Sequence, residues 1–556
     1  MIKFDVVEKE SRKEPVYDVN QKWAILSVYD KTRIQTFAQV LVKNGYKIIS
    51  SGGTAEKLRQ AEIEITDVSE LVGGDPILGD KVKTLSREVA AGLLVRRDVL
   101  HEIEEMKSLG LPIIDLVCVD MYPLEETIKK NPENLEEVLK STDIGGPTML
   151  REGAKGKKPT IVKPEQMEEF IDWLESDQPN PEEFINRLNA EAEYEVARYS
   201  GMSGKYRSGG NNIVIPLTNR QKLSYGSNPE TEASIYRTDM DRMLPPDPLA
   251  YYNFKFITGK DRGANNFDDG DKALQVITHL AAVMDVNFND HNQPMMIGLK
   301  HGNACGAAID NDPITVTKRM IEGSPKSIFG GIVMSNFKID EEVAEILLTH
   351  QVSSKRVLDI IYAPEFTQDA IDMLKRKTDR CRFLENPALS TLDRNSLDQK
   401  PRIMSIRGGM IIQGNFTYIL NLAHPELKVY GGKLTENIKK QIALAWAVGS
   451  MSSSNTITIV KDGYLLGNGV GQQDRVGCAE LAIERAEKSH HDLSGSIAYS
   501  DSFFPFPDGI QTLIDAGVKT IFASSGSVND HLVIKTAQDN GILLVMLPDK
   551  ICRGFR

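Results

Sequence analysis

The stretch WAILSVYDKTRIQTFAQVLVKNGYKIISSGGT, residues 23–54, decides the fold. Its apolar run Ala24–Val28 has the length of a buried strand, and Ile34, Phe37, Ala38 and Leu41 recur at the spacing of one helix face until Gly45 stops the pattern. Lys47–Ser50 reads as the next strand. A strand, a helix and a strand within about 30 residues make a parallel crossover unit. Ile114–Val119 and Thr160–Lys163 read as further strands of the same sheet, so the first domain is α/β.

In a parallel sheet, ligands sit beyond the carboxyl ends of the strands. Two loops of the opening stretch lie there: Ser27-Val28-Tyr29-Asp30-Lys31-Thr32 and Ser50-Ser51-Gly52-Gly53-Thr54. Paired glycines let consecutive backbone N–H groups face one anion, the hydroxyls add donors, and the following helix presents its positive end. The second loop is therefore a candidate phosphate cradle with Lys31 as a point charge, although a plain turn uses the same residues. Farther along, Gly79-Asp80-Lys81-Val82-Lys83-Thr84-Leu85 sets two lysines on one face of an extended segment. Asp120-Met121-Tyr122-Pro123-Leu124 follows an apolar strand, and Asp143-Ile144-Gly145-Gly146 opens a block that runs to Lys155. A tyrosine, an aspartate and a lysine at strand ends and loop glycines are suitable parts for proton transfer.

Over residues 199–212 Gly, Ser and basic side chains crowd together, and a domain boundary is expected there. Past it, Thr456–Val460, the Asp462-Gly463 turn and Tyr464–Leu466 read as a hairpin, because Asp-Gly suits the positive φ angles of a type I′ turn. Helices at Cys478–Lys488, Ile510–Ala516 and Val528–Asn540 accompany strands at Val518–Ala523 and Ile542–Leu547, so this part is α/β too. No repeat of fixed period and no low-complexity tract stands out.

The 556 residues, 41% hydrophobic and 26% charged, are too many for one core and too apolar for general disorder. A net charge of −12 weighs against nucleic acid and anionic membranes as partners. Met1–Trp23 is charged throughout and no run reaches the roughly 18 apolar residues of a membrane span, which makes the cytoplasm the expected compartment. Cys118, Cys305, Cys381, Cys478 and Cys552 fit neither a disulfide framework nor a C-x-x-C zinc site, so reduced thiols and no metal are expected.

The N-terminal blocks, in this order and at these spacings, resemble the inosine monophosphate cyclohydrolase domain, whose fold is similar to methylglyoxal synthase, over roughly Trp23 to Tyr199. The resemblance implies that Ser27, Lys31, Thr32, Ser51, Gly53 and Thr54, joined by Lys81 and Thr84, hold a nucleotide, and that Lys83, Tyr122, Asp143 and Lys155 surround the closing ring. In that reaction an amide nitrogen attacks a formamido carbonyl and water leaves, so positioning and charge supply most of the catalysis.

Gly298-Leu299-Lys300-His301-Gly302-Asn303-Ala304-Cys305-Gly306 sets a basic side chain beside an imidazole, an ordinary feature of solvated loops. Its company is informative. The segment resembles the Lys-His-x-Asn-Pro-Cys-Gly motif of the aminoimidazole carboxamide ribonucleotide (AICAR) transformylase domain. Blocks at Asn265–Phe267, Ser327–Gly331, Asp359–Pro364, Arg407–Gly409, Ser454-Asn455, Gly469–Arg475 and Asp501–Asp508 resemble it in family order, from about Leu223 to Arg556. The resemblance implies that His301 is the base on the substrate amine, Lys300 activates the formyl donor and Asn455 binds the amide region or the formyl oxygen. Tyr225, Asn266, Gly330, Asp359, Arg475 and Arg553 would contact the ribonucleotide. Phe503, Pro505 and Asp508 would hold a folate pteridine, and a flat heterocycle does suit an aromatic-lined slot with one carboxylate.

The implied architecture is a methylglyoxal-synthase-like parallel-sheet domain over residues 1–205, then a larger α/β transformylase domain of two cytidine-deaminase-like subdomains over residues 206–556. The implied ligands are AICAR, its formylated product, inosine monophosphate and 10-formyltetrahydrofolate, and the family's intersubunit sites imply a homodimer. This chain departs from the family pattern at several places. Ser224 stands for an arginine, Glu230-Thr231 for His-Gln, Ala304 for a proline and Ser453 for a lysine. In the first domain Lys81 stands for an arginine, Ser86-Arg87 for His-Pro and Asp120 for an asparagine, and a terminal histidine is missing after Arg553. An enzyme with one live site, or a nucleotide-binding regulator, is the alternative; both acid–base sets being present favours the bifunctional enzyme.

Overall fold

A computed structural model of the chain describes residues 17–79, 81–238, 246–259, 262–290, 293–377 and 379–553. Asp80, the charged stretch before Tyr17 and the terminal departure at Gly554–Arg556 lie outside the described residues. Two compact units meet in sequence between Pro216 and Leu217.

In the first unit, β1 (Lys22–Ser27) and β2 (Tyr46–Ser50) are parallel neighbours with Ile25 opposite Ile49, and the helix Ile34–Lys43 joins them with Ile34, Phe37, Ala38 and Leu41 buried. β3 (Ile65–Asp67), β4 (Ile114–Val119) and β5 (Thr160–Ile161) complete a sheet of order β3-β2-β1-β4-β5, parallel throughout. Ala24 and Leu26 pack into one core with Phe37 and Phe170, while Trp23 and Ile25 pack into another with Val89 and Leu150. A strand covered on both faces reads as an unbroken apolar run, and Trp23–Leu26 is one. The crowded stretch over residues 199–212 behaves otherwise than its composition suggests. It opens inside a helix, Pro181–Arg207, because Gly201 without a side chain admits Val214, whose Cγ2 would lie 2.6 Å from a Cβ there.

The second unit begins with a two-stranded ribbon, β6 (Leu217–Lys222) and β7 (Ser234–Thr238). Next come β8 (Lys255–Thr258), the helix Ala264–Phe288, the hairpin β9 (Met295–Lys300) and β10 (Asn303–Ile309), then β11 (Ile332–Ser335), β12 (Ile360–Ala363) and β13 (Arg382–Glu385), with a helix before each of the last three. A second ribbon follows, β14 (Arg402–Ile406) and β15 (Gly409–Gln413). The whole sequence of elements then recurs: β16 (Lys428–Tyr430), the helix Glu436–Ser450, the hairpin β17 (Ile457–Lys461) and β18 (Tyr464–Gly469), then β19 (Ile497–Ser500), β20 (Thr520–Ser525) and β21 (Leu543–Pro548), again with a helix before each.

These strands form one twelve-stranded sheet of order β16-β21-β20-β19-β17-β18-β10-β9-β11-β12-β13-β8, a palindrome about the antiparallel pair β18 and β10. No residue period reveals the duplication, because what repeats is the order of elements. The helices 264–288 and 436–450 share one core on one face, and each half has its own core on the other. Among the described residues no helix is long and apolar enough to cross a membrane.

Candidate functional site

Each unit gathers its candidate residues on one sheet edge. In the first unit, Ser27 and Ser50 end β1 and β2, and the helix Gly52–Gln60 begins right after Ser51, whose hydroxyl makes no capping bond. Lys31 and Lys83 flank that helix start. A Cβ on Gly53 would lie 3.2 Å from Lys31 Cε, and one on Gly52 would lie 3.4 Å from Lys83 Nζ. Two ammonium groups at the positive end of a helix make an anion site with open N–H donors. Thr54 is buried, and its hydroxyl is engaged by the backbone of Val28, accepting from the N–H and donating to the carbonyl at 3.1 Å each. Asp120 accepts the Asp30 N–H at 2.9 Å, so a carboxylate at this position ties down the Lys31 loop. Thr32 is exposed and donates its N–H to Asp30, at 2.9 Å. Ser86 caps the helix Arg87–Leu94.

Beside the cradle, a Cβ on Gly145 would meet Thr84 Oγ1 at 2.7 Å, which places Thr84 at the start of the helix Gly145–Lys155. Asp143 sits there too. Its N–H donates to the Tyr199 hydroxyl at 2.7 Å, and that hydroxyl donates to the Ser141 carbonyl at 3.2 Å. Burial raises the Asp143 carboxyl above its ordinary range, against N–H bonds that include those of Gly146 and Tyr122. Tyr122 is half-exposed and its ring meets Tyr29 edge to face at 6.0 Å. Lys83, Thr84, Tyr122 and Asp143 therefore converge with the cradle.

Lys155 stands apart from them. Lys155 is exposed at the far end of its helix, ten residues or about 15 Å from Gly145 at 1.5 Å per residue. It and Asp143 both line one cleft of about 960 Å³ between the helices 145–155 and 181–207. Lys81 is exposed. Tyr199 is a site residue the sequence reading missed, since a tyrosine in a helical stretch gives no sign of the loop it holds.

In the second unit the strand directions decide which residues meet. Leu299 of β9 lies opposite Ile332 of β11, and Ile457 of β17 lies opposite both Gly469 of β18 and Ser500 of β19. Lys300, His301, Gly330, Asp359, Asn455, Arg475, the Asp501–Asp508 loop and Arg553 therefore all lie along one edge. Lys300 Nζ donates to the Phe329 carbonyl at 2.7 Å and lies 3.9 Å from where a Cβ on Gly330 would be. His301 and Gly302 form the two-residue turn between β9 and β10, both at positive φ, 51° and 76°. Asp269 Oδ1 accepts the Gly302 N–H at 2.7 Å. Burial raises the Asp269 carboxyl, while the Gly302 bond and the nearby His301 and Lys272 oppose the rise.

Across the junction of the two halves, the Ser453 N–H donates to Asn303 Oδ1 at 3.0 Å. Asn455 is held at both ends, its Nδ2 donating to the Gln472 carbonyl and its Oδ1 accepting from Arg475, each at 2.8 Å. Arg475 also pairs with the buried Asp501, which in turn accepts the Thr456 N–H at 3.0 Å. Asp359 pairs with Arg376 at 2.9 Å, and Asn266 is buried, accepting the Gly263 N–H at 3.2 Å and the Tyr225 hydroxyl at 3.4 Å. Arg553 pairs with Asp549 at 2.6 Å. The expected pteridine slot is open in the single chain. Phe503 is half-buried, Pro505 and Asp508 are exposed, and the ring that enters the core is Phe504. Asp269 and Asp501 were not singled out from the sequence, although each lies within or beside a block that was.

Among the described residues no group of three or more His, Cys, Asp or Glu side chains is placed to hold a metal ion. All five cysteines are free thiols, and burial pushes Cys305, Cys381, Cys478 and Cys552 up to about 12.

Residues 157–485 match the AICARFT/IMPCHase bienzyme family, and residues 33–148 match the MGS-like domain family. The bifunctional purine biosynthesis protein PurH of Persephonella marina is 31% identical over 536 residues, covering 94% of this chain and 98% of its own. PurH of Caldicellulosiruptor saccharolyticus is 33% identical over 534 residues and PurH of Bacillus cereus 32% over 534, with the same coverage. A solved structure, that of ForH, is 29% identical and covers 34% of this chain and 99% of its own, at a TM-score of 0.31. The chain belongs to the AICARFT/IMPCHase bienzyme family, the enzymes of the last two steps of purine biosynthesis, formyl transfer to AICAR and closure of the product to inosine monophosphate.

Proposed function

We propose that the two steps divide between the two units, with ring closure on the edge built around Lys31, Lys83, Tyr122 and Asp143, and formyl transfer on the edge built around Lys300, His301 and Asn455. The assignment of residues 1–205 to cyclohydrolase and 206–556 to transformylase then follows, with the structural division displaced to Pro216. The observation that carries this reading is the hydrogen bond from the Ser453 N–H to Asn303, which ties the end of the Lys300–His301 turn to the segment that leads into Asn455 at the junction of the two halves of the large sheet.

In the formyl-transfer site, His301 takes a proton from the substrate amine as its nitrogen attacks the formyl carbon, and Lys300 stands beside Gly330, where it stabilises charge on the formyl oxygen. The donor is 10-formyltetrahydrofolate, whose N10 leaves with a proton. Asn455 and Arg475, fixed to each other, face the amide region and the ribonucleotide, with Tyr225, Asn266, Asp359 and Arg553 around it. In the ring-closing site, Ser27, Thr32, Ser51, Gly53 and the N–H groups after Ser51 hold the nucleotide phosphate and ribose. Lys83, Tyr122 and Asp143 then orient the amide nitrogen and the formamido carbonyl and move the proton that water carries away.

A second copy of the chain completes the transformylase. Four strand spacings, about 19 Å at 4.8 Å each, separate β9 from β19, so Phe503 and Pro505 stand far from the Lys300 of their own chain. The β14–β15 ribbon leaves Ile406, Met410 and Ile411 exposed, and an isolated two-stranded ribbon is only marginally stable in water.

Purified protein supplied with AICAR and 10-formyltetrahydrofolate should release tetrahydrofolate and form inosine monophosphate. Lys83→Ala should leave folate release measurable while ring closure of supplied formylated nucleotide falls by about two decades or more, as for loss of a positioned cation worth a few kcal/mol. Equal loss of both activities in folded protein would overturn the division between units.

A further inference from the structure

The two halves of the large sheet make the same hairpin turn, and only one is supported by an acidic side chain from a long helix. Lys300 pairs with Asn303 across His301-Gly302, and Lys461 pairs with Tyr464 across Asp462-Gly463. The φ angles are 51° and 76° in the first turn, and 49° and 80° in the second. Asp-Gly is a favoured sequence for this backbone, while a histidine in the left-handed region needs outside support.

The helix that could give that support differs between the halves. It has 25 residues in the first half and 15 in the second, yet the next strand begins seven positions after the helix ends in both, Phe288 to Met295 and Ser450 to Ile457. All the additional length is therefore at the amino end, which lies over the sheet edge that carries His301. Asp269 and Lys272 are on those extra turns. Asp269 Oδ1 accepts the Gly302 N–H at 2.7 Å, and Lys272 Nζ would lie 2.5 Å from a Cβ on Gly302. Asp268 engages Lys272 at 3.1 Å, leaving the Asp269 oxygen directed at the turn.

We infer that Asp269 is a positioning residue for formyl transfer, holding the His301-Gly302 turn in its left-handed form through the Gly302 N–H so that the imidazole faces the substrate amine. This rests on the assignment of formyl transfer to the Lys300–His301 edge. A carboxylate accepting from a backbone N–H at 2.7 Å is a charge-assisted bond, and its removal corresponds to roughly a 10- to 100-fold effect.

The test compares Asp269→Ala with Asp269→Asn, whose side-chain oxygen can still accept the Gly302 N–H. Asp269→Ala should lower kcat for formyl transfer by roughly 10- to 100-fold with little change in KM for the ribonucleotide. Asp269→Asn should restore most of that loss, and amide exchange at Gly302 should quicken in the alanine variant and not in the asparagine variant. A thermal melting profile like that of the unaltered chain in both variants shows that the second unit, which carries Asp269, is folded. Wild-type kcat in Asp269→Ala, or an asparagine variant no better than the alanine one, overturns the inference. If instead the unaltered protein transfers no formyl group, the reading of the site itself fails; the exchange result at Gly302 still reports whether Asp269 holds the turn.

Discussion

The turns at His301-Gly302 and Asp462-Gly463 have nearly equal φ angles, each joins the central hairpin of its half, and each begins with a lysine, Lys300 or Lys461. Their surroundings differ. Lys300 donates to a backbone carbonyl beside Gly330, whereas Lys461 is paired with Asp492 at 3.1 Å. His301 lies near two cations and a half-buried carboxylate, and Asp462 lies at the opposite edge of the sheet. The difference separates what the fold supplies from what the chemistry needs. The fold supplies a tight turn twice; the site is made by a histidine in place of an aspartate and by ten extra helical residues, and so belongs to side chains added to a scaffold.

The sharpest way to break the comparison is to remove the two side chains at the same turn position. His301→Ala should lower formyl transfer by about 10²- to 10⁴-fold, the usual worth of a positioned base, while ring closure of supplied formylated nucleotide persists. Asp462→Ala should leave both rates as they are. If steady-state kinetics showed the two variants alike, the asymmetry of the halves would not be catalytic.

A second experiment sharpens it through the glycines. Forcing alanine into the left-handed region costs about 1–2 kcal/mol at either turn. At Gly463 the new Cβ would also meet the backbone carbonyl of Ile309 at 2.7 Å, while at Gly302 it meets the flexible end of Lys272. Gly463→Ala should therefore lose more thermal stability and Gly302→Ala more formyl transfer. Melting curves and rates that moved together would contradict this crossing.

The smallest effect is expected at Lys461. Bonds from the Ser494 N–H and hydroxyl, then Lys461, hold Asp492 down at about 2, below the ordinary value near 4. A carboxyl lowered on folding contributes stability that is present above about pH 4 and is lost as the pH falls through 2. The melting difference between Lys461→Ala and the unaltered chain should be slight at neutral pH and fade over that window. A difference that widened in acid would show that Lys461 acts through something other than Asp492.

Much of this was legible in the sequence, and the reasons differ by region. The first unit shows its strands because they are buried on both faces, and its cradle because Ser51–Gly53 directly follows an apolar strand. The motif blocks of the second unit fall together on one edge of its sheet. Its duplication leaves no mark in residue spacing, since His301 and Asp462 share a conformation and no chemistry; only the resemblance to a transformylase of two like subdomains implied it. The helix 181–207 was hidden as well, because Gly201 reads as a break until Val214 is seen against it. Lys155 could not be placed from spacing, which does not say that a whole helix, Gly145–Lys155, lies between it and Asp143.

The palindromic sheet has one more consequence, for behaviour at high concentration. Its two outermost strands, β8 and β16, have four and three residues. Long bare edges recruit other chains through their unpaired N–H and C=O groups, and very short edge strands give such growth little to template. A twelve-stranded sheet is a large surface to leave open at both ends, and these two brief strands blunt it as a seed for edge-to-edge aggregation.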